Sequence, residues 1–238
     1  MNKDIPLNER VIFALDVPDA SQALDWVKRL SPVVGYFKVG LQLFLAEGFP
    51  LVDRIVDMGH KLMLDLKFLD IPQTTAMAMR EAARHGVHLA TVHAHVGSVV
   101  RAAVAEAGDV KVLGVTVLTS YGQEELADLG YPGTVEQLVT ARAGIALAAG
   151  CAGVVASARE AALLRHEYGG DFLVVTPGIR PADHAGDDQR RVMTPARALA
   201  AGADHLVIGR PISRASDPLG AARAIRDEVA ETLAAMET

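Results

Sequence analysis

Cysteine is almost missing from this sequence: Cys151 is the one thiol. A lone cysteine closes no internal disulfide and builds no cysteine-rich metal site. An excess of basic charge is missing too. Lysine and arginine number 23 against 29 acids, a net charge of −6, and a nucleic-acid footprint needs the opposite balance. Long apolar runs are also lacking. The longest uncharged stretch near the middle lies between Arg142 and Arg159. It is rich in alanine and glycine and breaks at Gly150, so it reads as a helix end followed by a buried strand, not a membrane span. The opening MNKDIPLNER is polar and does not read as a secretory signal. No composition break, linker or low-complexity stretch divides the chain. A reducing, cytoplasmic setting and a single domain over residues 1–238 are the expectations, with neither nucleic acid nor membrane as partner.

Apolar mass is plentiful. Half of the 238 residues are hydrophobic, enough for one large core, and α/β barrels use this length as a single domain. Short β-type runs alternate with helical patterns from end to end. The strands read as Val11–Asp16, Val33–Val39, Lys61–Asp65, Leu89–His93, Val112–Val117, Gly153–Ala156, Phe172–Thr176 and His205–Ile208. They are near-continuous hydrophobics, as parallel strands covered on both faces should be. After the first, Asp19 and Gln22 form a plausible capping box. Ala23, Trp26, Val27 and Leu30 then follow on one helical face. Pro72 suits a helix start, and His85-Gly86 a stop. Eight β-then-α units of this length fit a (β/α)₈ TIM barrel. An open doubly wound sheet is the structural alternative and would need a reversal of strand order.

In such a barrel the active site lies at the C-terminal strand ends. The stretch HKLMLDLKFLDIPQTT, His60 to Thr75, places Asp65, Lys67 and Asp70 among Leu64, Leu66, Phe68, Leu69 and Ile71. Charges leaving water cost several kcal/mol each unless paired. Asp65 and Lys67 are two apart and share one face if the strand continues. Asp16 and Lys38 end the first two strands. His93 and His95 follow the fourth, and Thr116, Thr119 and Ser120 the fifth. Plainer readings stand beside these. Asp16 can be a helix cap, Lys38 can snorkel from an apolar wall, and Asp65–Lys67 can be a structural ion pair. The two histidines read as core or rim residues without a role, and Arg190-Arg191 as a solvated pair.

The last two strand ends suggest a phosphate. The loops after strands seven and eight bind one in many barrels. Here Gly209-Arg210 follows HLVI directly and precedes a helix; glycine lets backbone N–H groups approach an anion, and Arg210 adds charge. The polar loop Gly178–Arg191 is placed to close over it.

These residues carry a resemblance. DLKFLDIPQT resembles the signature of the orotidine 5'-phosphate decarboxylase family, as do FALDV, FKVG, VTVLTS, VVTPGIR and VIGRP, in the expected order over nearly the whole chain. The resemblance implies a TIM barrel working as a homodimer. The implied reaction converts orotidine 5'-monophosphate to uridine 5'-monophosphate and CO₂, the last step of de novo UMP synthesis, with no metal or organic cofactor. By position it implies an alternating array of Lys38, Asp65 and Lys67, completed by Asp70 from the partner subunit. Asp16 and Lys38 would hold ribose hydroxyls. Ile71 and Thr74 would follow Asp70 into the neighbouring site. Thr119 would sit by the pyrimidine, and Gln189, Gly209 and Arg210 would hold the phosphate, with Arg180 in the same closing loop. Leu69 departs from the pattern, standing where many relatives carry a histidine. Two rivals remain at this stage. A sister sugar-phosphate decarboxylase or aldolase would hold Mg²⁺ with an acid at the end of strand two, where this chain has Lys38. A non-catalytic nucleotide-binding barrel would keep phosphate ligands without the charge array.

Overall fold

The computed structural model describes residues 4–181 and 193–237. Eight parallel strands follow one another around a closed barrel, and the last pairs with the first. They are β1 (Val11–Ala14), β2 (Tyr36–Gly40), β3 (Lys61–Phe68), β4 (Leu89–His93), β5 (Lys111–Val115), β6 (Gly153–Val155), β7 (Leu173–Thr176) and β8 (His205–Ile208). The sequential order removes the open-sheet alternative, because no strand order reverses.

Two apolar layers follow from the alternation of side chains along each strand. One half points into the barrel, where Ile12, Ala14, Tyr36, Met63, Leu89, Leu113, Val175 and Val207 fill the interior. The other half, including Phe13, Phe37, Leu62, Leu64, Ala90 and Val92, packs outward under the helices. Gly114 on β5 marks how closely one helix approaches. A Cβ there would stand 2.4 Å from Cβ of Ala146, on the helix Val135–Ala148.

Local signals place the helices as the sequence indicates. Asp19 caps the helix Ala20–Leu30, its Oδ1 accepting from the Gln22 N–H at 2.9 Å. The Gln22 side chain bonds the Asp19 carboxylate at 2.7 Å rather than the cap's backbone N–H, so the cap forms without the full box. Pro72 opens the helix Pro72–Arg84, and Gly86 leaves it at φ 65°. Gly150, at φ 89°, separates the helix Val135–Ala148 from β6. That split matches the reading of the uncharged stretch. No helix among the described residues is long and apolar enough to cross a membrane. Two strand limits differ from the reading by three residues, at the start of β2 and the end of β3, and the others agree within two. Val33 and Val34 are buried in the turn before β2, their N–H groups bonded to the Leu30 carbonyl. β3 runs on past Asp65 to Phe68, carrying its charges inside the strand.

Candidate active site

The C-terminal mouth of the barrel gathers the charged strand ends. Asp19 takes the capping role after β1, which leaves Asp16 free to face Lys38. Lys38 lies mid-strand on β2 with its side chain 11% exposed. Its Nζ stands 3.4 Å from Asp16 Oδ1 and 3.7 Å from Asp65 Oδ2. Asp65 gives its other oxygen to Lys67, whose Nζ donates to Oδ1 at 2.9 Å. The run Asp16, Lys38, Asp65, Lys67 therefore alternates in sign across three neighbouring strand ends. The Thr91 hydroxyl, on β4, also donates to Asp65 Oδ1 at 3.0 Å. Burial pushes the Asp65 pKa up. The Lys38 and Lys67 charges and the hydrogen bonds from Lys67 and Thr91 outweigh it and hold the carboxyl below its ordinary range.

The backbone that presents Lys67 is irregular. Leu64 pairs with Ala90 and Phe68 with Val92, so β3 advances four residues while β4 advances two. Inside that bulge Lys67 adopts φ 51°, the one non-glycine positive φ among the described residues. Its backbone N–H donates to Thr91 Oγ1 at 2.9 Å.

A cavity of about 230 Å³ opens over this array. Asp16, Lys38, Asp65 and Lys67 form one side, and Thr119, Arg180, Gly209 and Arg210 the other, above Met63, Val155 and Val207. A Cβ on Gly209 would sit 3.3 Å from Ala14 Cβ and 3.5 Å from Asp16 Oδ2, so glycine keeps β8 from crowding the end of β1. Arg180 is anchored by its N–H to the Met193 carbonyl at 3.0 Å. Eight of the expected site residues thus line one cavity.

Three others do not. Asp70 is exposed and its carboxylate accepts from the Ile71 N–H at 2.6 Å. Ile71 is 65% exposed and Thr74 is exposed as well. Asp70 and Thr74 line a separate, largely apolar depression of about 530 Å³ with Leu41, Phe44, Leu45, Leu66, Phe68 and Leu69, and Lys67 belongs to both depressions. Gln189 and Arg190-Arg191 lie outside the described residues.

Thr116 and Ser120 do not join the cavity: the Thr116 hydroxyl donates to the Val155 carbonyl, and Ser120 is exposed. His93 lines the apolar depression, its ring 4.7 Å from that of His95, with Nδ1 buried and unbonded. Burial first, then His95, Lys67 and Arg142, push its pKa down to about 4. Larger cavities, of about 690 and 600 Å³, open at the opposite end, beside the first residues of the strands such as Tyr36, Lys61 and His205 or beside Arg10 and Asp204. Their charges are tied in structural pairs such as Lys61–Glu9 and Arg165–Asp204, and that end of a barrel serves stability.

The family model for orotidine 5'-phosphate decarboxylase / HUMPS matches residues 9–225. This chain belongs to that family. The orotidine 5'-phosphate decarboxylase of Geobacter sulfurreducens is 51% identical over 229 residues, covering 93% of this chain and 96% of the relative. That of Rhodopseudomonas palustris is 49% identical over 225 residues, 94% and 95% of the two chains. The crystal structure of the enzyme from Lactobacillus acidophilus superposes with a TM-score of 0.83 at 33% identity, covering 93% of this chain and 99% of that one. Within this decarboxylase family frame, Thr91 is the polar group that a reading of strand ends overlooks. It sits inside LATVH, where a β-branched threonine passes for an ordinary strand former.

Proposed function

We propose that this chain decarboxylates orotidine 5'-monophosphate to uridine 5'-monophosphate and CO₂, the closing step of de novo UMP synthesis, without metal or organic cofactor. The observation that carries the reading is the alternating array facing Gly209 and Arg210 across one small cavity. Family membership and the named relatives support it. Breaking the bond between C6 and the carboxylate leaves an electron pair in the plane of the pyrimidine, where the ring π system delocalises it poorly. Lys67 supplies a fixed positive charge beside C6 and then its proton to the same carbon. The Lys67 amine regains a proton from water. Asp65 aims the ammonium through the 2.9 Å bond. Asp16 and Lys38 are assigned to the ribose hydroxyls, Thr119 to the pyrimidine, and Gly209, Arg210, Arg180 and Gln189 to the phosphate. Phosphate binding is far from the reacting carbon, so it acts on rate by organising the charged end.

Lys38 decides against the magnesium-dependent sisters. An ammonium is no metal ligand and repels a divalent cation where they need an acid.

The working unit in this reading is a homodimer, with Asp70, Ile71 and Thr74 entering the partner's site. Its support is the position of Asp70 outside its own cavity, on an apolar rim. Leu45 is 82% exposed, Leu41 54% and Leu69 50%, and burying such a patch against a second copy is favourable. Cys151 is buried, and burial pushes its thiol up to about 12, so it stays a protonated, unreactive thiol at neutral pH.

The test is the loss of substrate ultraviolet absorbance with pure protein in EDTA. Turnover that survives exhaustive chelation is expected. Loss under EDTA with recovery on adding Mg²⁺ would favour the sister enzymes.

A further inference from the structure

We infer that Thr91 is a positioning residue of this site, its single hydroxyl setting the Asp65 carboxylate and the Lys67 backbone at once; the inference rests on the decarboxylase reading. The bulge between β3 and β4 creates the need. In a regular parallel ladder the Lys67 N–H would find a carbonyl on β4. The register shift between Leu64–Ala90 and Phe68–Val92 withdraws that partner, and a buried N–H without a partner is costly. Thr91 is fully buried, 0% exposed, and its Oγ1 accepts that N–H at 2.9 Å. The hydroxyl has one proton to give, and it goes to Asp65 Oδ1 at 3.0 Å. Both bonds converge on one atom whose χ1 is stiffened by β-branching. One rigid group therefore fixes the left-handed turn that aims Lys67 and the carboxylate that Lys67 contacts.

The groups facing Asp65 make the consequence specific. Lys38 reaches it from β2, Lys67 from its own strand, and Thr91 and His93 from β4, with Asp16 acting through Lys38. Lys38 and Lys67 pull the carboxylate from two sides, and Thr91 supplies a neutral donor that adds no competing charge. Without the hydroxyl, Oδ1 keeps one donor and the Lys67 turn loses its tether. The phosphate end is untouched.

The experiment compares wild type, Thr91→Val and Thr91→Ser on orotidine 5'-monophosphate, with uridine 5'-monophosphate affinity measured separately. Thr91→Val keeps the shape and deletes the hydroxyl. Its kcat should fall about tenfold to a hundredfold, the scale of losing a hydrogen bond to a charged group. Uridine 5'-monophosphate affinity should change less than about threefold, since the charge-assisted phosphate contacts are intact. The acid limb of kcat/KM should move to higher pH, because Asp65 has lost a donor to its charged form. Thr91→Ser should recover kcat to within about threefold of wild type, since it restores the bond. A role in packing alone would lower the melting temperature without moving the acid limb. Wild-type kcat and acid limb in Thr91→Val, or equal losses in Val and Ser variants, would overturn the inference. If Thr91→Val does not fold, Thr91→Cys carries the same expectations, because S–H is a weak donor. Should wild type itself fail to turn over the substrate, the decarboxylase reading falls. The Asp65 midpoint by carboxyl-carbon NMR then decides Thr91 alone: it should rise in Thr91→Val, and an unchanged midpoint rejects its role.

Discussion

Mixing two inactive variants tests whether the site is shared. Asp70 is exposed, bonds its own neighbour Ile71, and lines the apolar depression rather than the charged cavity. Lys67 belongs to both depressions, so a carboxylate arriving from outside reaches it through the apolar side. Lys67→Ala removes the fixed charge and the proton donor. Asp70→Ala leaves the partner's ammonium short of an acid, a loss of about 3–5 kcal/mol for a buried pair, or roughly a hundredfold to several thousandfold in rate. Each chain alone should be nearly silent. When subunits of a two-fold dimer exchange at equal concentrations, about half of the dimers are mixed. In a mixed dimer one site takes Lys67 from the Asp70→Ala chain and Asp70 from the Lys67→Ala chain, so it is wild type in both. The other site lacks both. About one quarter of all sites, and so about a quarter of wild-type activity, should return. The assay is the absorbance decay before and after mixing, with exchange followed independently by native mass spectrometry of differently tagged chains. Exchange without recovered activity would refute the shared site, because an Asp70 acting within its own barrel leaves no intact site in any mixed dimer.

Lys67→Ala on its own should abolish nearly all turnover while the circular dichroism spectrum is retained; near wild-type kcat would contradict the assigned role. Arg210→Ala should lower kcat/KM by about 2–3 kcal/mol, the scale of a charge-assisted hydrogen bond, and a substrate lacking the phosphate should be far less sensitive. Equal losses on both substrates would make Arg210 structural. Acid should destabilise the fold through its histidines. Burial is the leading cause that lowers the pKa of His60, His88, His93, His95 and His205, His93 to about 4. Between about pH 6.5 and 4 the unfolded chain binds protons that the folded chain refuses, so stability falls as pH falls. Asp65, with its pKa lowered, adds a further loss at still lower pH. The melting temperature should track this, and His93→Gln should flatten the slope; a variant as steep as wild type would argue against the His93 share.

The barrel is legible because parallel strands buried on both faces leave apolar runs that polar turns punctuate. LATVH and HLVI read directly as β4 and β8. Val33-Val34 misleads because burial, not pairing, selects valine there, and a buried turn has the same composition as a strand. β3 reads short for the opposite reason: charges inside a strand look like its end until a cavity is known to face them. Asp16, Lys38, Asp65 and Lys67 are legible as charges clustered at the ends of the first three strands, and their alternating order as an implication of the family resemblance. Gly209-Arg210 reads as a candidate anion wall from its place in the eighth unit. Thr91 is silent in the sequence because its task exists only through a register shift, which one strand's residues do not encode. Asp70 is visible as a charge, but its spacing does not say that the turn after β3 carries it out of the charged cavity to the apolar depression.

The left-handed backbone at Lys67 is a strain that its own side chain offsets. An L-residue at φ 51° costs about 1 kcal/mol that glycine would not. Asp65 would keep Lys38 and Thr91 as partners if Lys67 became glycine. It would lose the 2.9 Å bond from Lys67 Nζ, about 1.5–3 kcal/mol for a hydrogen bond to a charged group, which outweighs the saving in the backbone. A library of this codon screened by thermal challenge without substrate should therefore keep lysine over glycine.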